Sequence, residues 1–139
     1  MRDATNSGFR GQLLWQKSQA FALALITVVR DLPNDRSADS IGRQLIRSGS
    51  SIAANIAEGY GRYSQGAYRN HLSIARGSAF ESESWIDLLI ESGYVNKGTG
   101  DNLLSQCTEL QKLLTYRMKA LEQRAPRMLK EEQADYYAE

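Results

Sequence analysis

A chain of 139 residues, 42% hydrophobic and 24% charged, fits one globular domain able to bury roughly two thirds of its unfolded surface. A net charge of +1 excludes a global field that would draw a monomer onto nucleic acid, one cysteine (Cys107) excludes an internal disulfide, and one histidine (His71) excludes most metal and acid–base chemistry. No apolar run is long enough to span a bilayer, and the opening MRDATNSGFRGQ lacks the apolar core of a signal peptide, so a cytoplasmic protein without a membrane partner is expected.

Period-3.6 patterning dominates, and only Pro33 and Pro126 interrupt it. The first segment, 13–31, sets Leu14, Ser18, Phe21, Leu25, Val28 and Leu32 at alternating spacings of four and three, and Pro33-Asn34-Asp35 stops it. The second, 38–60, is marked by Ile41, Leu45, Ser48, Ile52, Asn55 and Gly59, with Ser37 or Asp39 as N-cap. The third, 64–92, opens on Ser64 as N-cap, carries Tyr68, Leu72, Ala75, Ala79, Ser82, Ile86 and Leu89, and closes at Gly93. After YVNKGTG, a fourth begins near Asp101 with Leu103, Cys107, Leu110, Leu114, Arg117 or Met118, and Leu121; Pro126 ends its pattern. Nothing alternates like a strand. The expected fold is all-α, an antiparallel up-down-up-down four-helix bundle over 13–124, flanked by a flexible segment 1–12 and a tail 125–139.

Small residues crowd the second helix (Ser48, Gly49, Ser50, Ser51, Ala53, Ala54, Ala57) and recur in the third at Ala75, Gly77, Ser78 and Ala79. Gly49 and Gly77 each cost roughly 1 kcal/mol in a helix interior relative to Ala. Close approach of a neighbouring backbone is the expected compensation. The stretches LLWQKSQAFALAL, QLIRSGSSIAANIAEGYGR and HLSIARGSAFESE together resemble the 23S rRNA intervening-sequence protein family, four-helix-bundle proteins related to the accessory variability proteins of diversity-generating retroelements. The resemblance spans about residues 13–122. It implies an antiparallel bundle assembling into a five-membered ring, with an uncertain biochemical role. Some members are encoded within intervening sequences of large-subunit rRNA genes, and the retroelement relatives act with a reverse transcriptase and RNA.

The run Gly59-Tyr60-Gly61-Arg62 raises the choice between a phosphate-cradling loop and a helix stop. A cradle needs backbone N–H groups at the start of a helix, commonly after a strand. Here the glycines follow a helix, so Gly59 or Gly61 in the left-handed conformation is expected to cap it. Asn55 lies on the inward stripe, where an unpaired amide costs about 1–3 kcal/mol. A polar cluster drawn from Arg47, Ser51, Asn55, Glu58, Arg76 and Glu81 is therefore expected to fix helix register, in preference to a ligand or acid site.

Cys107 on the apolar stripe reads as a small buried hydrophobe, and no Glu-x-x-His pair, catalytic triad or Walker sequence occurs. No enzyme activity, cofactor, metal or small-molecule substrate is expected. Trp15, Tyr60, Tyr63, Tyr68 and Trp85 are the aromatic candidates for an interface, set against ordinary packing. Residues 36–76 hold Arg36, Arg43, Arg47, Arg62, Arg69 and Arg76 against only Asp39 and Glu58, and the chain divides into +5 over 1–76 and −4 over 77–139. Guanidinium groups suit bidentate contact with carboxylate or phosphate. The leading expectation is a non-enzymatic homo-oligomer, a pentamer by resemblance, whose basic face meets the next subunit's acidic half. The alternative is an accessory that binds RNA, or an RNA-binding protein, through the arginines.

Overall fold

The computed structural model describes the backbone of residues 8–138 and the side chains of residues 8–122. A 3-10 turn, Phe9–Gly11, precedes four helices: α1 Leu13–Arg30, α2 Arg36–Tyr60, α3 Gln65–Glu91 and α4 Lys97–Ala138. Each helix packs on its chain neighbours, and α4 returns to α1, which closes an antiparallel four-helix bundle. No strand occurs among the described residues.

The boundaries follow local chemistry. Asp35, not Ser37 or Asp39, caps α2, with Oδ1 accepting from Ala38 N–H at 2.8 Å. Its carboxylate also accepts from the Tyr94 hydroxyl at 3.0 Å, which ties the α1–α2 turn to the α3–α4 turn and raises the phenol's pKa. Ser64 caps α3 through Ala67 N–H at 3.1 Å, as expected. At the far end of α3, Gly93 takes φ +82°. Its N–H reaches the Ile90 carbonyl while Tyr94 N–H reaches Leu89, so two otherwise orphaned carbonyls are satisfied.

Three sequence expectations change. Part of YVNKGTG is the first turn of α4, capped by Asn96 Oδ1 on Thr99 N–H at 2.8 Å. Its Gly100 is buried under Ile90, whose Cδ1 lies 2.4 Å from where a Cβ would sit, so the glycine serves a close helix crossing rather than a loop. At the other end, α4 continues through Pro126 to Ala138. Finally, residues 9–11 of the segment expected to be flexible form a turn, with the Phe9 ring edge-on to Trp15 at 5.2 Å; residues 1–7 lie outside the description.

The core holds the predicted stripes: Phe21 and Leu25 from α1, Leu45, Ile52 and Ile56 from α2, Leu72, Ala75, Ala79, Ile86 and Leu89 from α3, and Leu103, Cys107, Leu110, Leu114 and Leu121 from α4. Arg117 is exposed, and Met118 takes the inward place.

Candidate functional site

A run of polar residues lies along one seam, where α2 meets α3. Small side chains let the two backbones approach closely enough for hydroxyls on opposite helices to touch. At its buried centre Ser48 and Ser82 share a hydrogen bond at 2.8 Å, and Ser82 also donates to the Ser78 carbonyl at 2.9 Å. One turn on, Asn55 Nδ2 donates to the Ser51 carbonyl and hydroxyl, both at 2.9 Å, and Ser51 Oγ lies 2.9 Å from Ser78 Oγ. Asn55 Oδ1 lies 3.1 Å from His71 Nδ1. An amide oxygen only accepts, so that nitrogen carries the proton. Donors thus run from His71 through Asn55 to Ser51, whose hydroxyl shares a hydrogen bond with Ser78.

Beyond the buried part, Arg47 is paired with Glu81, and Glu81 also accepts from Trp85 Nε1 at 2.9 Å. Glu58 sits at the opposite end, exposed, bonded to Arg62 at 2.7 Å and 3.8 Å from His71 Nδ1. As contacts advance along α2 they retreat along α3, so the seam records one antiparallel register. Five of the six expected cluster members lie along it. Arg76 does not: it turns to α4, donates to Thr115 Oγ1 at 2.8 Å, and lies over the Phe80 ring at 4.9 Å. Ser48, Ser78, Ser82, His71 and Trp85 are members that sequence reasoning missed, although Ser48 and Ser82 already stood on inward stripes.

The glycine expectation also changes. Gly61 has φ −77°, and among the described residues only Gly8 and Gly93 have positive φ. Gly59 is instead a buried notch in which a Cβ would lie 2.7 Å from His71 Cβ and 3.2 Å from the Tyr68 carbonyl. Gly49 is a second notch, filled by Leu25. Gly77 is different: among the described residues nothing lies within 4 Å of its would-be Cβ, so none of them accounts for it.

The arginines do not form one open basic face. Arg43 pairs with Asp39 at 3.2 Å, Arg62 with Glu58, Arg47 with Glu81, and Arg69 with Glu122 at 3.3 Å; Arg76 is held as described, and Arg36 is exposed with no partner among the described residues. These pairs are solvent-accessible, and such pairs contribute about 0–1 kcal/mol each. Among the aromatic candidates, Trp15, Tyr68 and Trp85 are half-buried, while Tyr60 and Tyr63 are exposed at the α2–α3 turn. The exposed rings that sequence reasoning missed are Phe80 and Tyr116.

Cys107 donates to the Ala79 carbonyl at 3.0 Å in the core. Burial, with the Glu83 charge, pushes its pKa up to about 12. A thiol-specific disulfide reagent should therefore fail to label the native protein at pH 8 and label it fully in denaturant; rapid native labelling would contradict the buried position. The shift also gives a pH dependence. Above about pH 9 the unfolded thiol ionises and the native one does not, so stability should decline from there toward pH 12.

The concave features are open grooves between helices. One of about 600 Å³, between α1 and α2, is lined by Val29, Leu32, Pro33, Gly42, Arg43 and Ile46 among others. Among the described residues no group of three His, Cys, Asp or Glu side chains converges as a metal site would require, and no helix is long and apolar enough to cross a membrane.

This bundle and its sequence have known relatives. The profile of the 23S rRNA-intervening sequence proteins matches residues 11–116. The chain belongs to that family. A crystal structure from Bacteroides thetaiotaomicron, described as a protein with unknown function from the S23 ribosomal protein family, is 33% identical with a TM-score of 0.73, over 77% of this chain and 99% of that one. No protein with a curated description matches. The family has no assigned function, and neither comparison attaches a catalytic activity to it.

Proposed function

We propose that this family member is a non-catalytic subunit of a closed homo-oligomeric ring, with five copies as the family resemblance implies. The observation that carries the reading is the outer face of α3, opposite its core stripe. Ile74 is 45% and Leu88 39% exposed there, with Gly77 open between them. Their separation along the helix is about 21 Å, three to four turns, long enough for a second helix to lie against. A glycine that no described residue of its own chain packs against is accounted for if that helix comes from a neighbour. A head-to-tail contact between copies closes into a ring when its rotation divides a full turn.

RNA binding through the α2 arginines is the weaker reading, because five of the six arginines of residues 36–76 already hold groups of their own chain. Multi-angle light scattering tests assembly directly. A mass several times 15.6 kDa is expected, and a monomer at micromolar concentration would end the ring reading.

A further inference from the structure

Between α3 and α4 runs a groove of about 400 Å³ lined by Arg76, Phe80, Thr108, Gln111, Lys112, Thr115, Tyr116 and Lys119. Three of these carry positive charge and none is a carboxylate. This local surface belongs largely to the half of the chain that is acidic in sum, so the sequence totals concealed it. Of the flanking acids, Glu83 accepts from the lining residue Gln111 at 3.0 Å, and Glu122 holds Arg69. Among the described residues Arg76, Lys112 and Lys119 have no ion-pair partner.

Its apolar surface is aromatic. Tyr116 is 74% and Phe80 43% exposed, and the Arg76 guanidinium is fixed over the Phe80 ring at 4.9 Å by its bond to Thr115. Among the described residues no Leu, Ile, Val or Met lines it. A groove for an amphipathic helix needs aliphatic pockets at successive turns, and this one has none. What it offers is ring faces and a guanidinium plane for stacking, ammonium groups for phosphate, and hydroxyl and amide groups for base or sugar edges. Lys112 and Lys119 stand two turns apart, about 10 Å along α4, on the same side as Tyr116 and Thr115.

We propose that the α3–α4 groove binds single-stranded polynucleotide, with Lys112, Lys119 and Arg76 on the phosphates and Tyr116 stacked on a base. Stacking platforms combined with a cationic track are the physical basis of sequence-tolerant single-strand binding. The proposal does not rest on ring assembly; a monomer carries the same groove, and a ring would add avidity.

The test is fluorescence anisotropy with a labelled mixed-sequence single strand of about 12 nucleotides, with the oligomeric mass of each sample measured alongside. Binding should weaken about 20-fold between roughly 50 and 200 mM salt if three phosphates are contacted. Lys112→Glu/Lys119→Glu should abolish it, and Tyr116→Ala should weaken it about tenfold, all three side chains being exposed and outside the core. Arg36→Glu/Arg43→Glu on α2 should leave it unchanged. The proposal is overturned by no binding at low salt, by loss in the α2 variant with the groove variant unaffected, by an unchanged Tyr116→Ala affinity, or by a poly-glutamate peptide competing as well as the nucleic acid. Because mass is read separately, a monomer that binds refutes the ring alone, and a ring that does not bind refutes the groove alone.

Discussion

Gly59→Ala should lower the melting temperature by roughly 6–8 °C, while Gly61→Ala two residues later should change it little. At position 59 the new methyl meets His71 Cβ at 2.7 Å and the Tyr68 carbonyl at 3.2 Å. Neither can swing aside, since one is fixed to the α3 backbone and the other is part of it. Separating the helices to make room costs up to about 3 kcal/mol. The helix-propensity gain, under about 1 kcal/mol at a helix end, offsets only part, leaving a net loss of about 2 kcal/mol. At position 61 the nearest atoms lie at 3.5 and 3.7 Å, ordinary contact, and the backbone is right-handed. Thermal melts of the two variants decide between a notch and a cap. Equal melting would remove the close approach of α2 and α3 as the reason for this glycine.

Asn55→Leu should destabilise by about 1–3 kcal/mol, because it strips His71 of its acceptor and Ser51 of its donor at a half-buried position. The asymmetry of buried polar groups makes a sharper forecast. Removing one partner leaves the other desolvated and unpaired, whereas removing both leaves an apolar contact. Asn55→Leu/His71→Leu should therefore recover most of the loss, giving a favourable coupling in a double-mutant cycle of urea melts. If the seam specifies register, the double variant keeps its stability and broadens its amide spectrum as alternative helix offsets become populated. A single variant that melts no earlier than the parent would sink the register role.

The seam also shows where local reading reaches its limit. Ser48, Asn55 and Ser82 were placed on inward stripes by spacing alone, because residues three and four apart share a helix face regardless of what lies opposite. Spacing says nothing about the partner. Arg76 stands five residues before Glu81 on the same helix, yet it faces α4 while Glu81 faces α2, a half-turn difference that a long side chain seemed able to bridge. His71 looked like an isolated titratable group until the α2 register brought Asn55 to it.

The charge totals misled for a related reason. Summing over residues 36–76 gathered six arginines, but the folded chain distributes them over the outer surface of α2, the α2–α3 turn and the α4-facing side of α3, and pairs most of them. Lys112, Tyr116 and Lys119 fell within the acidic total and passed unnoticed, although their spacing of four and three on one helix is a legible sign that they share a face.

By itself the sequence determined four amphipathic helices, most of their core-facing residues and the ends at Ser64 and Gly93. Each of these depends on the periodicity of one segment or on a cap that bonds its own backbone. Tertiary structure alone decided that Gly59 and Gly100 are crossings rather than loop residues, that Asp35 serves both a cap and Tyr94, and which cations remain available between α3 and α4. Those outcomes depend on how far one helix slides along another. That offset is set by the interlocking of two whole surfaces, and no single stretch of chain contains both.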